Sequence, residues 1–310
     1  MRILIGYDGS AYADAALDDL RRAGLPRVAE ALIVSVGDGL VDTSSPLAEI
    51  AGATLTSCRV TSAIALAREQ AMRLLDEARG FAAEARRRVL SDYPGWDVRT
   101  QVREGSPSQE LLLNAHEWQA DLVVVGSRGR SALGRLFLGS VSKTLALKAH
   151  CSIRVARRAM GKIKTTAGRR IIVGVDGSHG AARAVRAVRT RTWPEESEVC
   201  LIAVDDGTRL DDIPPQSETP VTGGDEGATV NASLMAEEAR EALLAEGLSA
   251  SVEIIEGDPR RVLVEQARKR RADCVFVGAR GVGGDIEDTG LGSVSTRLVT
   301  GAHCSVEVVR

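Results

Sequence analysis

Aromatic side chains are scarce in this 310-residue chain, which has three Trp, three Tyr and three Phe. The core must therefore be built from Ala, Val, Leu and Ile, and an apolar content of 44% is enough for a core of ordinary size. The formal net charge is only −2 and no long basic arm is present, so nucleic acid is not expected as the main partner. The length suggests two domains or one large one.

Long apolar runs are also missing, since none approaches the roughly 20 residues that cross a membrane. The first residues are not expected to form a signal peptide, because Asp8 interrupts their apolar run and no cleavage site follows. The five cysteines are odd in number and include no Cys-x2-Cys pair, which is typical of reduced thiols. We therefore expect a cytoplasmic protein without a membrane partner.

A glycine-rich segment follows one of the apolar runs that are present. Residues 122–125 are apolar and β-branched, which predicts a buried parallel strand. Gly126 ends this strand, Gly129 allows a tight turn close to a ligand, and an amphipathic helix begins at Gly139-Ser140 with Ser140 as the expected N-cap. Glycines beside the free N–H groups of a helix N-terminus favour an anion site. A turn that merely connects two elements is the alternative.

Apolar periodicity predicts alternating strands and helices in the first half of the chain. Strands are expected at 2–6, 32–36, 97–102, 122–125 and 152–156, and helices at 11–23, at 61–90, near Pro107 and from Ser140. Residues 37–59 are rich in Gly, Ser, Thr and Pro, which is typical of a loop. Such alternation indicates an α/β fold with a parallel, doubly wound sheet.

The second half of the chain repeats the first. Ile171-Ile-Val-Gly-Val-Asp-Gly-Ser178 repeats Ile3-Leu-Ile-Gly-Tyr-Asp-Gly-Ser10, and residues 256–281 match 104–129 without a gap. The last strands match as well, at 304–308 and 151–155. The repeat predicts two domains, 1–157 and 169–310, joined by a basic linker at 158–168.

The spacing Gly126-x2-Gly129-x9-Gly139-Ser140 resembles the nucleotide-binding motif of the universal stress protein family. The resemblance covers nearly the whole chain, twice, and implies two tandem five-stranded domains that are Rossmann-like and similar to adenine nucleotide alpha hydrolases. Dimers of this family pair through their fifth strands. We therefore expect the domains to pack as a pseudo-dimer through 152–156 and 305–309, which covers two apolar edges. A chain ending near Arg157 is then expected to self-associate.

The resemblance also implies which residues bind the nucleotide. In doubly wound sheets, ligands bind where strand order reverses, which here joins Asp8 to Gly126. The nucleoside would contact Gly6, Tyr7 and Asp8, with Asp8 near ribose or a metal, and adenine would contact Val36. Ribose and phosphates would contact Gly126, Arg128, Gly129, Gly139, Ser140, Val141 and Ser142. Taken alone, Asp8 could simply cap the next helix; the glycine loop favours the ligand role.

The second copy retains a weaker version of this motif at Asp176, Gly278, Gly281, Gly292 and Ser293. Ten residues rather than nine separate its last two glycines. The first loop carries Arg128, Arg130 and Arg135, whereas the second carries Arg280 against Asp285, Glu287 and Asp288, a difference of five charges. At about 0.5 kcal/mol for each screened charge, the second site is expected to bind an anion on the order of fifty-fold more weakly.

The residues that other nucleotide, metal and catalytic motifs require are missing from the sequence. Residues 139–144 do not have the glycine spacing of a Walker sequence, and residues 7–10 lack Gly-x-Gly-x-x-Gly. His150-Cys151 and His303-Cys304 offer two adjacent ligands each, so a metal site is not expected there. No Ser-His-Asp order and no general base beside the loop are evident, so at most slow hydrolysis is expected.

The sequence therefore predicts a protein that binds ATP with Mg²⁺ as a regulatory or stress-sensing ligand. The alternative is an interaction module that binds no nucleotide and acts through protein partners. A lesser alternative is a slow ATPase or an enzyme of adenylyl transfer.

Overall fold

The computed structural model describes residues 1–37, 57–130, 138–158, 168–207, 225–281 and 290–310. Copy 1 denotes the described part up to residue 158, and copy 2 the part from residue 168. Copy 1 consists of β1 (Arg2–Gly6), α1 (Ala11–Leu20), β2 (Glu30–Gly37), α2 (Ser57–Asp92), β3 (Asp97–Glu104), α3 (Pro107–Glu117), β4 (Leu122–Gly126), α4 (Ser140–Lys148) and β5 (Ser152–Ala156).

Copy 2 has the same order of elements. It consists of β6 (Arg170–Val175), α5 (His179–Arg189), β7 (Glu198–Asp205), α6 (Asp225–Ala245), β8 (Ser249–Glu256), α7 (Pro259–Lys269), β9 (Cys274–Gly278), α8 (Ser293–Gly301) and β10 (Ser305–Val309). The described strands form one ten-stranded sheet in the order β3-β2-β1-β4-β5-β10-β9-β6-β7-β8. The predicted α/β fold with two tandem doubly wound units is confirmed.

The two units pack as a pseudo-dimer, because β5 pairs antiparallel with β10 at the centre of the sheet. The other neighbouring pairs among the described strands are parallel. Strand order reverses between β1 and β4 in copy 1 and between β6 and β9 in copy 2. Each copy therefore has its own switch point, where a crevice opens at the carboxyl ends of the strands.

Helices cover the sheet on both faces, so its central strands are buried and mostly apolar. On one face, a single core joins both copies and includes Leu4, Val123, Ile172, Val275 and Val306. On the other face each copy has a core of its own. No helix among the described residues is long and apolar enough to cross a membrane.

Helices α1 and α2 have bounds that differ from the sequence prediction. Helix α1 ends at Leu20 rather than residue 23, and the chain turns at Gly24, whose φ of 60° suits a glycine. Helix α2 already begins at Ser57, so the last three residues of the predicted loop are helical, and Gly80 does not interrupt it. The rest of that loop, residues 38–56, lies outside the described residues.

Candidate functional site

A cavity of about 780 Å³ opens at the carboxyl ends of β1, β2 and β4 in copy 1. All the residues that the resemblance implies for the first site line it, namely Gly6, Tyr7, Asp8, Val36, Gly126, Arg128, Gly129, Gly139, Ser140, Val141 and Ser142. These residues come from β1, β2, β4, the glycine loop and α4. The structure therefore brings the whole predicted set around one space at the switch point.

Two glycines allow the backbone to close around this cavity. A Cβ at Gly126 would lie 2.5 Å from the carbonyl oxygen of Tyr12, so β4 and α1 approach too closely for a side chain. A Cβ at Gly129 would lie 2.9 Å from Oδ2 of Asp8. The glycine loop therefore lies directly against the acidic side chain at the end of β1.

Asp8 joins β1 to the glycine loop through hydrogen bonds to the backbone. Its Oδ1 accepts from the N–H of Ser10 at 3.0 Å, and its Oδ2 accepts from the N–H of Arg130 at 3.1 Å. The hydroxyl of Ser10 caps α1, since it accepts from the N–H of Ala13 at 3.1 Å. The alternative that Asp8 is merely the helix cap is therefore wrong.

The N-terminus of α4 faces the same cavity. The N-cap is Gly139, not the predicted Ser140, which already belongs to the first helical turn. The N–H of Gly139 donates to the carbonyl of Ser127 at 2.8 Å and closes the loop onto the end of β4. Because glycine offers no capping side chain, the first N–H groups of the helix are left for water or a ligand.

Ser142 has a structural role that the sequence prediction did not include. Its buried hydroxyl donates to the carbonyl of Gly126 at 2.6 Å, which fastens α4 to the end of β4. Ser295 makes the same contact with Gly278 in copy 2, at 2.7 Å. A phosphate contact by the Ser142 hydroxyl stays a prediction. The hydroxyl proton is already donated to the carbonyl of Gly126, so the hydroxyl would have to give up this hydrogen bond to donate to a phosphate.

Two arginines of the glycine loop line the cavity. Arg128 donates to the hydroxyl of Tyr12 at 2.8 Å, and its guanidinium lies 5.2 Å from the centre of that ring. Arg130 lies 5.2 Å from the ring centre of Phe81 and pairs with Glu77 at 3.2 Å. Arg128 is therefore positioned by Tyr12, and Arg130 by Phe81 together with the carboxylate of Glu77. Arg135 lies outside the described residues.

Part of the cavity wall was not predicted from the sequence. Helix α2 contributes Leu74, Ala78 and Phe81, and the segment that starts α3 contributes Ser106 and Pro107. The sequence signal for the second group was Gly105-Ser-Pro after a strand, because that turn must lie at the same edge of the sheet as the glycine loop. The apolar periodicity of α2 predicted the helix, but it did not indicate which of its apolar residues line the cavity instead of packing in the core.

Tyr7 is a buried ionisable side chain in the cavity wall. Burial raises the pKa of Tyr7 to about 12, and its hydrogen bond to Asp14 contributes in the same direction. The phenol donates to Oδ1 of Asp14 at 2.6 Å, and Arg88 pairs with the same carboxylate. Tyr7 is therefore neutral at physiological pH and joins β1 to α1 and α2.

The predicted residues of the second site also lie together, at the switch point of copy 2. A Cβ at Gly281 would lie 2.2 Å from Oδ2 of Asp176, and one at Gly292 would lie 3.5 Å from Cα of Arg280. Ser293 is the first residue of α8, and Gly278 ends β9 beside Gly180. The acidic residues 285, 287 and 288 are outside the described part of the chain.

Copy 2 nevertheless lacks the aromatic side chains of the first site. At the constant offset of 168 residues, Gly180 replaces Tyr12, Val175 replaces Tyr7, and Asp205 replaces Gly37. Nε of Arg280 donates to the carbonyl of Gly290 at 3.1 Å, so this arginine contacts its own loop. The two switch points are alike in backbone and different in side chains.

Comparison with known proteins identifies the family. A family model described as "Universal stress protein family" matches residues 1–157 and 168–310. The chain belongs to the universal stress protein family. A universal stress protein of Mycolicibacterium smegmatis is 29% identical over 324 residues, which cover 99% of this chain and 96% of that protein.

Two further universal stress proteins differ in length: one matches a single copy, and the other matches the whole tandem chain. YxiE of Bacillus subtilis is 30% identical over 156 residues, half of this chain and 98% of the relative. A crystal structure of a universal stress protein from Archaeoglobus fulgidus has a TM-score of 0.66 at 19% identity, and covers all of this chain and 98% of that one. That likeness supports the fold of the whole tandem chain.

No metal centre is evident in the part of the protein that the structure describes, since it contains no group of three or more His, Cys, Asp or Glu placed to hold an ion. His150 instead contacts His116 edge to face, with ring centres 5.2 Å apart. Burial lowers the pKa of His150, and the charge of His116 adds to this effect. The pair is a packing contact at the end of α4.

Proposed function

We propose that copy 1 binds ATP, with Mg²⁺, in the cavity at its switch point, and that the nucleotide is a regulatory or sensing ligand. The observation that carries the proposal is the gathering of every implied nucleotide-binding residue around one cavity of about 780 Å³. This volume lies in the range of small-molecule sites. The free N-terminus of α4 and the nearby arginines supply the positive potential that phosphates require.

The walls of the cavity differ in a way that suits a nucleotide. Val34, Val36 and Leu111 provide apolar contacts for a base, whereas the glycine loop and the start of α4 present backbone N–H groups. Among the described residues that line the cavity, Asp8 is the one carboxylate. Mg²⁺ is commonly held by one or two carboxylates together with nucleotide phosphates, so Asp8 is the residue that would hold it. The ion would neutralise phosphate charge beside this carboxylate.

Rapid hydrolysis is not part of the proposal. The described lining of the cavity contains no histidine or glutamate, and both oxygens of Asp8 already accept backbone hydrogen bonds. A general base must lie within hydrogen-bond reach of the water that it activates. The lining therefore supports binding better than catalysis, with slow hydrolysis as the upper bound.

We propose further that copy 2 binds nucleotide more weakly than copy 1. Asp205 introduces a carboxylate where copy 1 has Gly37, and Gly281 lies closer to Asp176 than Gly129 lies to Asp8. The extra residue in the second loop and its acidic composition act in the same direction. A phosphate at the second switch point would therefore meet less room and less positive charge.

The substitution Gly129→Asp tests the proposed site. The new carboxylate would face Asp8 and the phosphates, so calorimetry should show MgATP binding weakened by at least about tenfold. Gly129→Ala is the control for the added Cβ alone, and Gly281→Asp is the matched change in copy 2. If the Gly129→Asp chain binds MgATP as tightly as the parent, the cavity is not the site. If the parent does not bind at all, the interaction-module alternative is favoured.

A further inference from the structure

The contact between the two copies contains a buried charge network. Arg154 of β5 lies directly opposite Glu307 of β10, both side chains are 0% exposed, and Nη1 of Arg154 lies 3.2 Å from Oε2 of Glu307. Nε of Arg154 also pairs with Asp19 at 2.7 Å, and Glu307 also pairs with Arg191. Two acids and two arginines thus balance one another at the centre of the sheet.

This network does not follow the symmetry of the repeat. At the offset of 153 residues that relates the last strands, Arg154 and Glu307 occupy the same position in the two copies. Because they also face each other, they lie on the pseudo-twofold axis. At the offset of 168 residues, Ala187 corresponds to Asp19 and Ala23 corresponds to Arg191. The two copies therefore present different charges at the point where they cross.

A second asymmetric contact is steric. A Cβ at Gly24 in copy 1 would lie 2.8 Å from the ring of Trp193 in copy 2, so the indole packs directly on the glycine. The corresponding residues are Thr192 for Gly24 and Leu25 for Trp193. The same indole contacts Phe276 with ring centres 6.0 Å apart, and Phe276 corresponds to Val124. Copy 2 therefore contributes the large aromatic side chains of this contact, and the glycine of copy 1 leaves room for the indole.

Some contacts across the interface are made by both copies, and others by one copy alone. Arg157 donates to the carbonyls of Val299 and Thr300, and its counterpart Arg310 donates to those of Ala146 and Leu147. The pair Arg22–Asp273 would also survive between two copies of the first kind, because Asp121 corresponds to Asp273. The contacts of Arg157 and Arg310 therefore do not distinguish the copies. Arg22 does, because its counterpart is Thr190, so a copy 1 pair would have this ion pair twice and a copy 2 pair would lack it.

We propose that the interface is heterotypic, so that the face of copy 1 accepts the face of copy 2 and disfavours a second copy 1. Two copy 1 faces would bury Arg154 against Arg154 on the axis, although each would keep its Asp19. Two copy 2 faces would bury Glu307 against Glu307 and press Trp193 onto Thr192. In each of these pairs the like charges would keep one counter-ion, Asp19 or Arg191, but would lose the oppositely charged partner across the axis. Repulsive contacts of this kind are a recognised source of specificity.

This proposal changes one expectation from the sequence. Pairing of fifth strands alone predicts that a chain ending near Arg157 self-associates. With arginine on the axis and no indole to fill the space above Gly24, self-association of copy 1 is instead disfavoured. The partner that this surface fits is copy 2 of the same kind of chain.

Glu307→Arg in the full chain tests the charge contact, because it sets an arginine opposite Arg154 on the axis. Hydrogen exchange should become at least about tenfold faster in β5 and β10 than in the Glu307→Gln chain, while β2 and β7 stay protected. Glu307→Gln removes the carboxylate without adding a like charge. Equal exchange in the two variants would overturn the proposal.

A second measurement decides the matter if the Glu307→Arg chain does not fold. Gly24 and Gly207 have similar φ values, 60° and 65°, but a Cβ at Gly207 meets nothing within 4 Å. Gly24→Ala should therefore lower the unfolding midpoint more than Gly207→Ala, and this excess should disappear in a Trp193→Leu background. If the two alanine variants unfold alike, the fit is not specific and the proposal fails.

Discussion

At the scale of single residues, Asp8 connects the end of β1 to the glycine loop by accepting a hydrogen bond from the N–H of Arg130. Its place at the end of a strand, with a glycine loop expected beside it, was enough to assign it to the site, and the structure confirms the contact with that loop. The partner of the Ser142 hydroxyl could not be predicted, because the acceptor is the backbone of Gly126, sixteen residues earlier in the chain. Sequence patterns indicate which side chains belong to a site, but they do not indicate which backbone carbonyls accept hydrogen bonds from those side chains.

Four cysteines give a prediction at the same scale. Cys151, Cys200, Cys274 and Cys304 are buried, and burial raises the pKa of Cys274 to about 11 and that of Cys304 to about 12. Because the thiolate is the reactive form, these thiols should not react with a thiol reagent at pH 8 until the chain unfolds. The Cys58→Ser chain should be used, since the described side chains do not include Cys58.

The same raised pKa values set a direction for stability with pH. The folded state holds these thiol protons more tightly than the unfolded state, so the contribution to stability is complete below about pH 9 and is lost as pH rises toward 11 and above. The free energy of unfolding of the Cys58→Ser chain should therefore fall between pH 9 and 11. Rapid labelling of all four thiols in the native chain at pH 8 would contradict the burial on which both expectations depend.

At the scale of elements, the strands were predicted better than the helix ends. The predicted bounds of β5 agree with the structure, because an apolar run between helices leaves few alternatives. Helix α2 begins four residues before the predicted start, within a stretch whose Ser and Thr content is typical of a loop. The cap of α4 was placed one residue late, because Gly139 and Ser140 are both good cap residues.

Gly80 provides a test of helix α2. It lies exposed in the helix interior, and a Cβ there would meet nothing within 4 Å. Gly80→Ala should therefore raise the free energy of unfolding by about 0.5–1 kcal/mol, because alanine loses less backbone entropy in a helix. Denaturant unfolding measures this directly. A loss of stability in this variant would show that α2 is not a regular helix at residue 80.

At the scale of the whole molecule, the pseudo-dimer with ten strands was predicted from the repeat, from the apolar edge strands and from the resemblance to a family whose dimers pair through their fifth strands. The asymmetry of the interface could not be predicted, because Arg154 and Glu307 look like ordinary polar residues alternating along apolar strands. The contribution of α2 to the cavity could not be predicted either, since it depends on how far Leu74 and Phe81 extend beyond the core. Both features depend on contacts between elements that are distant in the sequence, and the periodicity of a single element does not predict those contacts.

The central claim is that copy 1 holds an adenine nucleotide at the switch point between β1 and β4. The most direct measurement is the nucleotide released on denaturation from gently purified full chain saturated with MgATP and freed of excess ligand. The account predicts about one ATP per chain from the parent and from Gly281→Asp, and almost none from Gly129→Asp. Equal release from the Gly129→Asp chain and the parent, or no nucleotide from the parent, would contradict it.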